Sequence, residues 1–239
     1  MFLNLAPPCA SVRDRDRKTL MQVFQTIGAE SCPREYNFHM HTIYSDGRLE
    51  PEALIQQATD IGLKGLAITD HHSVGGYRAA QCWLEERRSS SGGDASGDSV
   101  PLPTLWTGVE INAALLDVEV HILGYGFDPD APAIEGYLHG HPVTGKPYLA
   151  GEAIAAIHNA GGLAVLAHPS RYRRSPQELI PEAARLGIDG SEAYYAYNNP
   201  DPWQPSAEET ERVRKLNYLH NLFDTCGTDT HGLNLLKRI

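Results

Sequence analysis

His39 and His41 stand two residues apart in Phe38-His39-Met40-His41, a spacing that puts both imidazoles on one face of an extended segment. Imidazole is the commonest metal-ligating side chain, and carboxylate oxygens complete such sites. The same residue types recur along the chain. Asp46 lies in Ser45-Asp46-Gly47, His71 in Ile68-Thr69-Asp70-His71-His72, and Glu110 in Gly108-Val109-Glu110-Ile111-Asn112. His121 opens His121-Ile122-Leu123-Gly124, His168 lies in Ala167-His168-Pro169, and Asp229 and His231 lie in Gly227-Thr228-Asp229-Thr230-His231-Gly232. A single His at a strand end is more often structural than ligating. Nine ligand-type residues at successive strand ends have no packing reason to collect there. A metal site with open positions takes about three or four protein ligands, so the set suffices for two or three ions if one carboxylate bridges.

The elements that must position these residues alternate along the chain. Strands are expected at 36–41, 63–69, 102–111, 118–124, 163–167, 188–193 and 222–226. Helices are expected at 51–61, 76–88, 152–160, 176–186 and 206–220, with Pro51 and Gly62 bounding the first of these and Ser206 with Glu209 forming a capping box on the last. This alternation argues an α/β fold with parallel strands, and the polar, glycine-containing turns suit a barrel whose site lies at the C-terminal strand ends. Residues 1–34 read as a helical N-terminal extension, with Leu20, Val23, Phe24 and Ile27 on one face and Gly28 stopping the helix. Residues 35–239 are expected to form one domain that carries the nine ligand-type residues. Residues 89–100, rich in Ser, Gly and Asp, read as a mobile loop, and 125–150 as a long irregular connection.

The chain has 239 residues and a formal charge of −10. An acidic chain offers few phosphate contacts, so long duplex nucleic acid and anionic membranes are not its expected partners. No apolar run approaches the ~20 residues that span a bilayer. The apolar N-terminus lacks a basic region and meets Pro7-Pro8 at once. The four cysteines form no C-x-x-C pair, and the expected setting is the reducing cytoplasm.

The motifs HMHTIYSDG (39–47), ITDHH (68–72), GVEIN (108–112), HILGYG (121–126), AHP (167–169) and GTDTHG (227–232) resemble, in order, those of the PHP (polymerase and histidinol phosphatase) family of metal-dependent phosphoesterases. The resemblance implies a distorted seven-stranded (β/α) barrel holding up to three divalent ions, commonly Zn, Mn or Fe. It implies one ion on His39, His41, Glu110 and Asp229, a second on Glu110, His121 and His168, and a third on Asp46, His71 and His231. Glu110 would bridge. All nine family positions carry ligating types, which favours an active enzyme over the inactivated modules attached to some polymerases. The expected chemistry is hydrolysis of phosphate esters by a metal-bridging hydroxide, because divalent ions lower the pKa of bound water and neutralise phosphoryl charge.

The expected substrates are nucleotides or short oligonucleotide ends. Alternatives are another small phosphomonoester, such as a sugar or amino-alcohol phosphate, or a non-catalytic metal-binding regulatory module. An amidohydrolase also opens with H-x-H, but that class often bridges its metals through a strand-end Lys, and no Lys closes a strand here. Many longer family members carry a helical insertion between the strands bearing His121 and His168, whereas here that connection is only residues 125–162.

Other residues admit two readings. Arg171 could clamp a substrate phosphate bidentately, with Arg173 and Arg174 as weaker candidates, or all three could lie in a solvated loop. His72 is a general acid or an outer support for its neighbour. Tyr194, Tyr195, Tyr197 and Trp203 pack a loop, or Tyr195 and Trp203 stack a base. His139, His141, His158 and His220 are read as ordinary, and Cys226 as a buried strand residue.

Overall fold

The computed structural model describes residues 17–90 and 101–239. The first half of the N-terminal extension, Cys9 and most of the expected 89–100 loop lie outside these residues.

Eight strands are present among the described residues: β1 (Tyr36–Asn37), β2 (Gly65–Ala67), β3 (Thr104–Trp106), β4 (Gly108–Leu115), β5 (Val118–Tyr125), β6 (Leu163–Leu166), β7 (Gly190–Tyr194) and β8 (Phe223–Cys226). The helices are α1 (Arg17–Phe24), α2 (Pro51–Ile61), α3 (Gly75–Ser90), α4 (Pro132–Glu135), α5 (Ala150–Asn159), α6 (Pro176–Arg185) and α7 (Ala207–His220).

The α/β class expected from the alternation is present, but the closed seven-stranded barrel is not. The strands form a three-stranded parallel sheet, β1-β2-β3, and a five-stranded mixed sheet, β4-β5-β6-β7-β8. Among the described residues they are joined by isolated bridges, Met40 to Thr230 and His71 to Glu110, and by single backbone bonds such as that from the Phe38 N–H to Cys226 O.

Two local causes account for the difference. The single strand expected at 102–111 breaks at Thr107, so β3 pairs in one sheet and β4 in the other. At Gly108 the chain passes so close to β2 that an added Cβ would lie 2.3 Å from the Ile68 carbonyl oxygen, a contact that glycine alone tolerates. The second cause is a tight hairpin. Leu116 and Asp117 both adopt left-handed backbone, φ 49° and 61°, so a two-residue turn joins β4 and β5 antiparallel. β5 then pairs antiparallel with β6, so within the five-stranded sheet the parallel pairs are β6–β7 and β7–β8.

The helices occupy nearly their expected ranges, since their start and stop signals are local. α2 begins at Pro51 and ends at Gly62 in left-handed conformation, and its buried Leu54, Ile55 and Ala58 pack with Met40, Leu66, Ile68 and Leu84. The capping box expected at Ser206 does not form. The Ser206 hydroxyl instead accepts from the Tyr197 N–H, which fastens the loop after β7. A carboxylate that reaches back in this way is found on α6, where Glu178 accepts from both the N–H and the hydroxyl of Ser175.

α1 is part of the main core. Leu20 and Phe24 are buried, and the Phe24 ring meets Phe38 edge-on at 5.1 Å and Tyr125 at 5.7 Å. Each such buried side chain contributes about 1.5–3 kcal/mol. None of the described helices is long and apolar enough to cross a membrane.

Candidate metal centre

The ligand-type residues reach one rim because each follows the last paired residue of a strand or faces that rim from β4 and β5. Their positions are held by backbone bonds between the two sheets. The His41 N–H donates to Thr230 O, the Asp229 N–H to His39 O, and the Glu110 N–H to Asp70 O. Register sets the rest. Asn112 pairs with His121 across the β4–β5 hairpin, so His121 shares a face with Glu110, two residues from Asn112.

Glu110 is buried at the centre of the cluster. Its Oε2 lies 3.0 Å from His39 Nε2, 3.1 Å from His41 Nε2 and 3.5 Å from His71 Nε2. Its Oε1 lies 2.7 Å from His121 Nδ1 and 3.4 Å from His168 Nε2. Asp229 Oδ1 stands 3.4 Å from His39 Nε2 and 3.2 Å from His41 Nε2. Toward the solvent side, Asp46 Oδ2 is 3.2 Å from His231 Nε2 and 3.9 Å from His71 Nε2, and Asp46 Oδ1 is 3.5 Å from His41 Nδ1.

All nine residues singled out from the sequence therefore gather at one place. Their closest groupings are His39, His41, Glu110 and Asp229, then His71, Glu110 and His121, then His41, Asp46, His71 and His231. His71 and His41 are thus shared between groupings, and His168 adjoins the second through Glu110.

The donor set fits divalent cations. Five imidazoles converge on one carboxylate, more than its lone pairs and their N–H groups can satisfy mutually. Of the ring nitrogens that face the cluster, the buried His41 Nε2 has no hydrogen-bond partner. Nitrogen and oxygen donors in this mixture suit Zn, Mn or Fe.

The electrostatics divide the histidines. Burial lowers the pKa of His41, but the Asp229 and Glu110 carboxylates outweigh it and lift it to about 9. His39 is likewise raised, because Glu110, Glu192 and Asp229 overcome its desolvation. His71 and His168 are pushed down to about 4, chiefly by burial. Burial alone would raise Glu110 and Asp229, but the surrounding imidazoles hold both well below the usual carboxylate range.

A titration consequence follows for the metal-free protein. The raised pKa of His41 contributes stability that is full below the unfolded value near 6.5 and is lost as pH rises through about 9. A ligating imidazole must be neutral. Adding Mn²⁺ at pH 7 in weak buffer is therefore expected to release about one to two protons per chain, from His41 and His39, and fewer as the pH approaches 9. Metal uptake without proton release at pH 7 would contradict this charge assignment.

Arg171, singled out beside His168, reaches the cluster, its Nη1 3.0 Å from Asp229 Oδ2. Arg174 instead bonds Leu116 O and Glu178, and Arg173 is exposed. His72 turns away from the rim. Its Nδ1–H donates to Tyr137 O and its Nε2 accepts from the Asn112 N–H, so it braces the loop over the hairpin and is not placed as a general acid. The stacking role considered for Tyr195 and Trp203 is not available, since both rings are buried. The Tyr195 hydroxyl serves Asp229, and the Tyr197 hydroxyl accepts from the Ser170 N–H. His158 pairs with Asp189 at 2.7 Å, and Cys32, Cys82 and Cys226 are free thiols.

Two residues of the site were not legible as such. Glu192 Oε1 lies 3.1 Å from His39 Nδ1, and its Oε2 accepts from the His168 N–H at 2.9 Å. Its only signal is an acidic residue inside the otherwise uncharged strand β7. Arg238 Nε donates to Asp229 Oδ2 at 2.8 Å, and no local pattern marks it. Close packing adds a constraint at Gly227, where a Cβ would lie 2.2 Å from His39 Cβ.

Residues 37–140 match the PHP domain family model. That stretch is similar to PHP domains. The matched stretch holds His39, His41, Asp46, His71, Glu110 and His121, while His168, Asp229 and His231 lie beyond it and join the cluster in the folded chain.

The chain is 27 % identical to the 5′-3′ exoribonuclease Rnm of Salmonella typhimurium, covering 82 % of this chain and 85 % of the relative. That alignment runs over 264 positions with only 82 % of the 239 residues taking part, so the relative carries segments with no counterpart here. The chain is 24 % identical to the 3′,5′-nucleoside bisphosphate phosphatase of Chromobacterium violaceum, covering 82 % of this chain and 87 % of the relative. Its fold resembles that of a Bifidobacterium adolescentis protein assigned to the metal-dependent phosphoesterases, with a TM-score of 0.63, 24 % identity, and coverage of 84 % and 88 % of the two chains.

Proposed function

We propose that this protein hydrolyses phosphate esters with two or three divalent ions of Zn, Mn or Fe, held by His39, His41, Asp46, His71, Glu110, His121, His168, Asp229 and His231. The observation that carries this reading is the convergence of five imidazoles on Glu110, with the inward-facing His41 Nε2 left without a hydrogen-bond partner. Bound at such a donor set, divalent ions make water nucleophilic near neutral pH and offset charge on phosphoryl oxygens. The protein's own groups orient the ligands and recognise the substrate. Arg171, two-fifths exposed at the mouth, supplies a guanidinium suited to a phosphate.

Its substrate class is a nucleotide or the phosphorylated end of a short oligonucleotide. The named relatives support it, one acting on RNA ends and one on nucleoside bisphosphates. The chain's formal charge of −10 argues against an extended polyanion track. A comparison of kcat/KM across a nucleoside 3′,5′-bisphosphate, 5′-phosphorylated two- to five-mers, a sugar phosphate and long single strands tests it, with metal content measured on the same sample. The expected result is high efficiency on the bisphosphate or the short oligomers that does not climb beyond a few nucleotides. Efficiency that rises steeply with length and falls with salt would overturn it, as would preference for the sugar phosphate.

A further inference from the structure

The two oxygens of Asp229 face different partners. Oδ1 points at His39 and His41, whereas Oδ2 accepts from the Tyr195 hydroxyl at 2.7 Å, Arg238 Nε at 2.8 Å and Arg171 Nη1 at 3.0 Å. Asp229 sits at φ 53°, a left-handed conformation unusual for a residue with a side chain. Its carboxylate therefore depends on these three donors for its direction.

Arg238 arrives by a folded strap. After His231 the chain turns back through residues 232–238. Leu235 is fully buried in the cluster beneath α2, and the Gln57 side chain holds the strap by donating to Leu233 O and accepting from the Leu235 N–H. The His231 N–H donates to Arg238 O, and the Thr230 hydroxyl to Lys237 O. Lys237 also pairs with Asp201. The strap sets the backbone of Thr230 and His231 at the same time as it delivers the guanidinium. Arg238 is mostly buried, while Arg171 comes from an exposed loop.

We propose that Arg238 is a positioning residue, which keeps Asp229 aimed at His39 and His41 and thereby leaves Arg171 free to pass from Asp229 to a substrate phosphate. The proposal rests on the phosphoesterase reading. The physical reason is charge compensation. A buried carboxylate stripped of its cationic partner is strongly destabilised. With one arginine alone, transfer of that arginine to a phosphate would strand Asp229. With Arg238 and Tyr195 still on Oδ2, Arg171 can leave at little cost. The two arginines then have different roles, Arg238 acting on the ligand and Arg171 on the substrate.

The test uses the full chain with Arg238→Gln, Arg238→Lys and Arg171→Gln. It measures Mn²⁺ affinity by calorimetry with the metal alone, then kcat and KM on the nucleotide that the wild type prefers. Loss of an outer-shell partner typically costs 10–100-fold in metal affinity or activity. Arg238→Gln is expected to weaken Mn²⁺ binding by about that factor and to lower kcat. Arg238→Lys is expected to recover part of the affinity, since it keeps the charge but loses the directed Nε–H. Arg171→Gln is expected to raise KM with Mn²⁺ affinity unchanged. If Arg238→Gln does not fold, Arg238→Lys against Arg171→Gln gives the same comparison. Wild-type Mn²⁺ affinity and kcat in both Arg238 variants would overturn the proposal. A wild-type chain that binds Mn²⁺ but hydrolyses no phosphate ester overturns the phosphoesterase reading instead, while the affinities still decide the role of Arg238.

Discussion

Glu110→Gln is expected to abolish hydrolysis and to strip most of the bound metal while the chain stays folded. Glutamine has nearly the same shape, so the packing of β4 against β5 is retained. What changes is the charge at the point where His39, His41, His71, His121 and His168 converge. Glu110 belongs to two of the three ligand groupings, so its neutralisation weakens both together. Losing the stabilisation that divalent ions give to phosphoryl charge is worth several kcal/mol, so a fall in kcat/KM of at least ~10³-fold, about 4 kcal/mol, is expected. Elemental analysis of wild type and variant, with circular dichroism as the folding control, checks it. A variant that keeps its full metal content would show that Glu110 does not bridge.

Glu192→Gln is expected to give a partial loss of a different kind. The Glu192 carboxylate lies against His39 Nδ1 and also accepts the His168 N–H, so it favours the tautomer that carries the proton on Nδ1. That leaves Nε2, the nitrogen facing Glu110 and Asp229, free to ligate. Burial raises the Glu192 pKa even though His39 opposes the rise, so this carboxylate is held in place at a cost. An amide can satisfy one neighbour with its oxygen but no longer offers the charge that raises the basicity of His39. Supports of this type are worth 10–100-fold in metal affinity or activity, and that is the loss expected here. Because the ligands themselves remain, excess Mn²⁺ is expected to restore most of kcat in Glu192→Gln but not in Glu110→Gln. Identical metal titration curves for wild type and Glu192→Gln would return Glu192 to a packing role.

What could be read along the chain was whatever has a local cause. Helix α2 was legible from Pro51 and Gly62, because capping geometry involves only neighbouring residues. The nine ligand-type residues were legible because alternation brings side chains two apart to one face, and because each sits where an apolar run gives way to a turn. Eight of the nine fall into three close groupings, and His168 stands beside them at Glu110.

The remainder depends on pairs far apart in sequence. The break at Thr107 follows from the approach of Gly108 to Ile68, and it turns one expected strand into two and an expected closed barrel into two bridged sheets. The burial of Tyr195 and Trp203 follows from how the loop after β7 is fastened, which removes both rings from base recognition. Glu192 and His39 are 153 positions apart, and Arg171 and Asp229 are 58 apart. No local spacing encodes such partnerships. The sequence by itself determined which ligand-type side chains stand at strand ends, since that is a property of residue type and local pattern. Only the tertiary structure decided which of them share an ion-sized space and which buried carboxylates and guanidiniums aim them, since orientation is set by contacts that exist only once the two sheets have met.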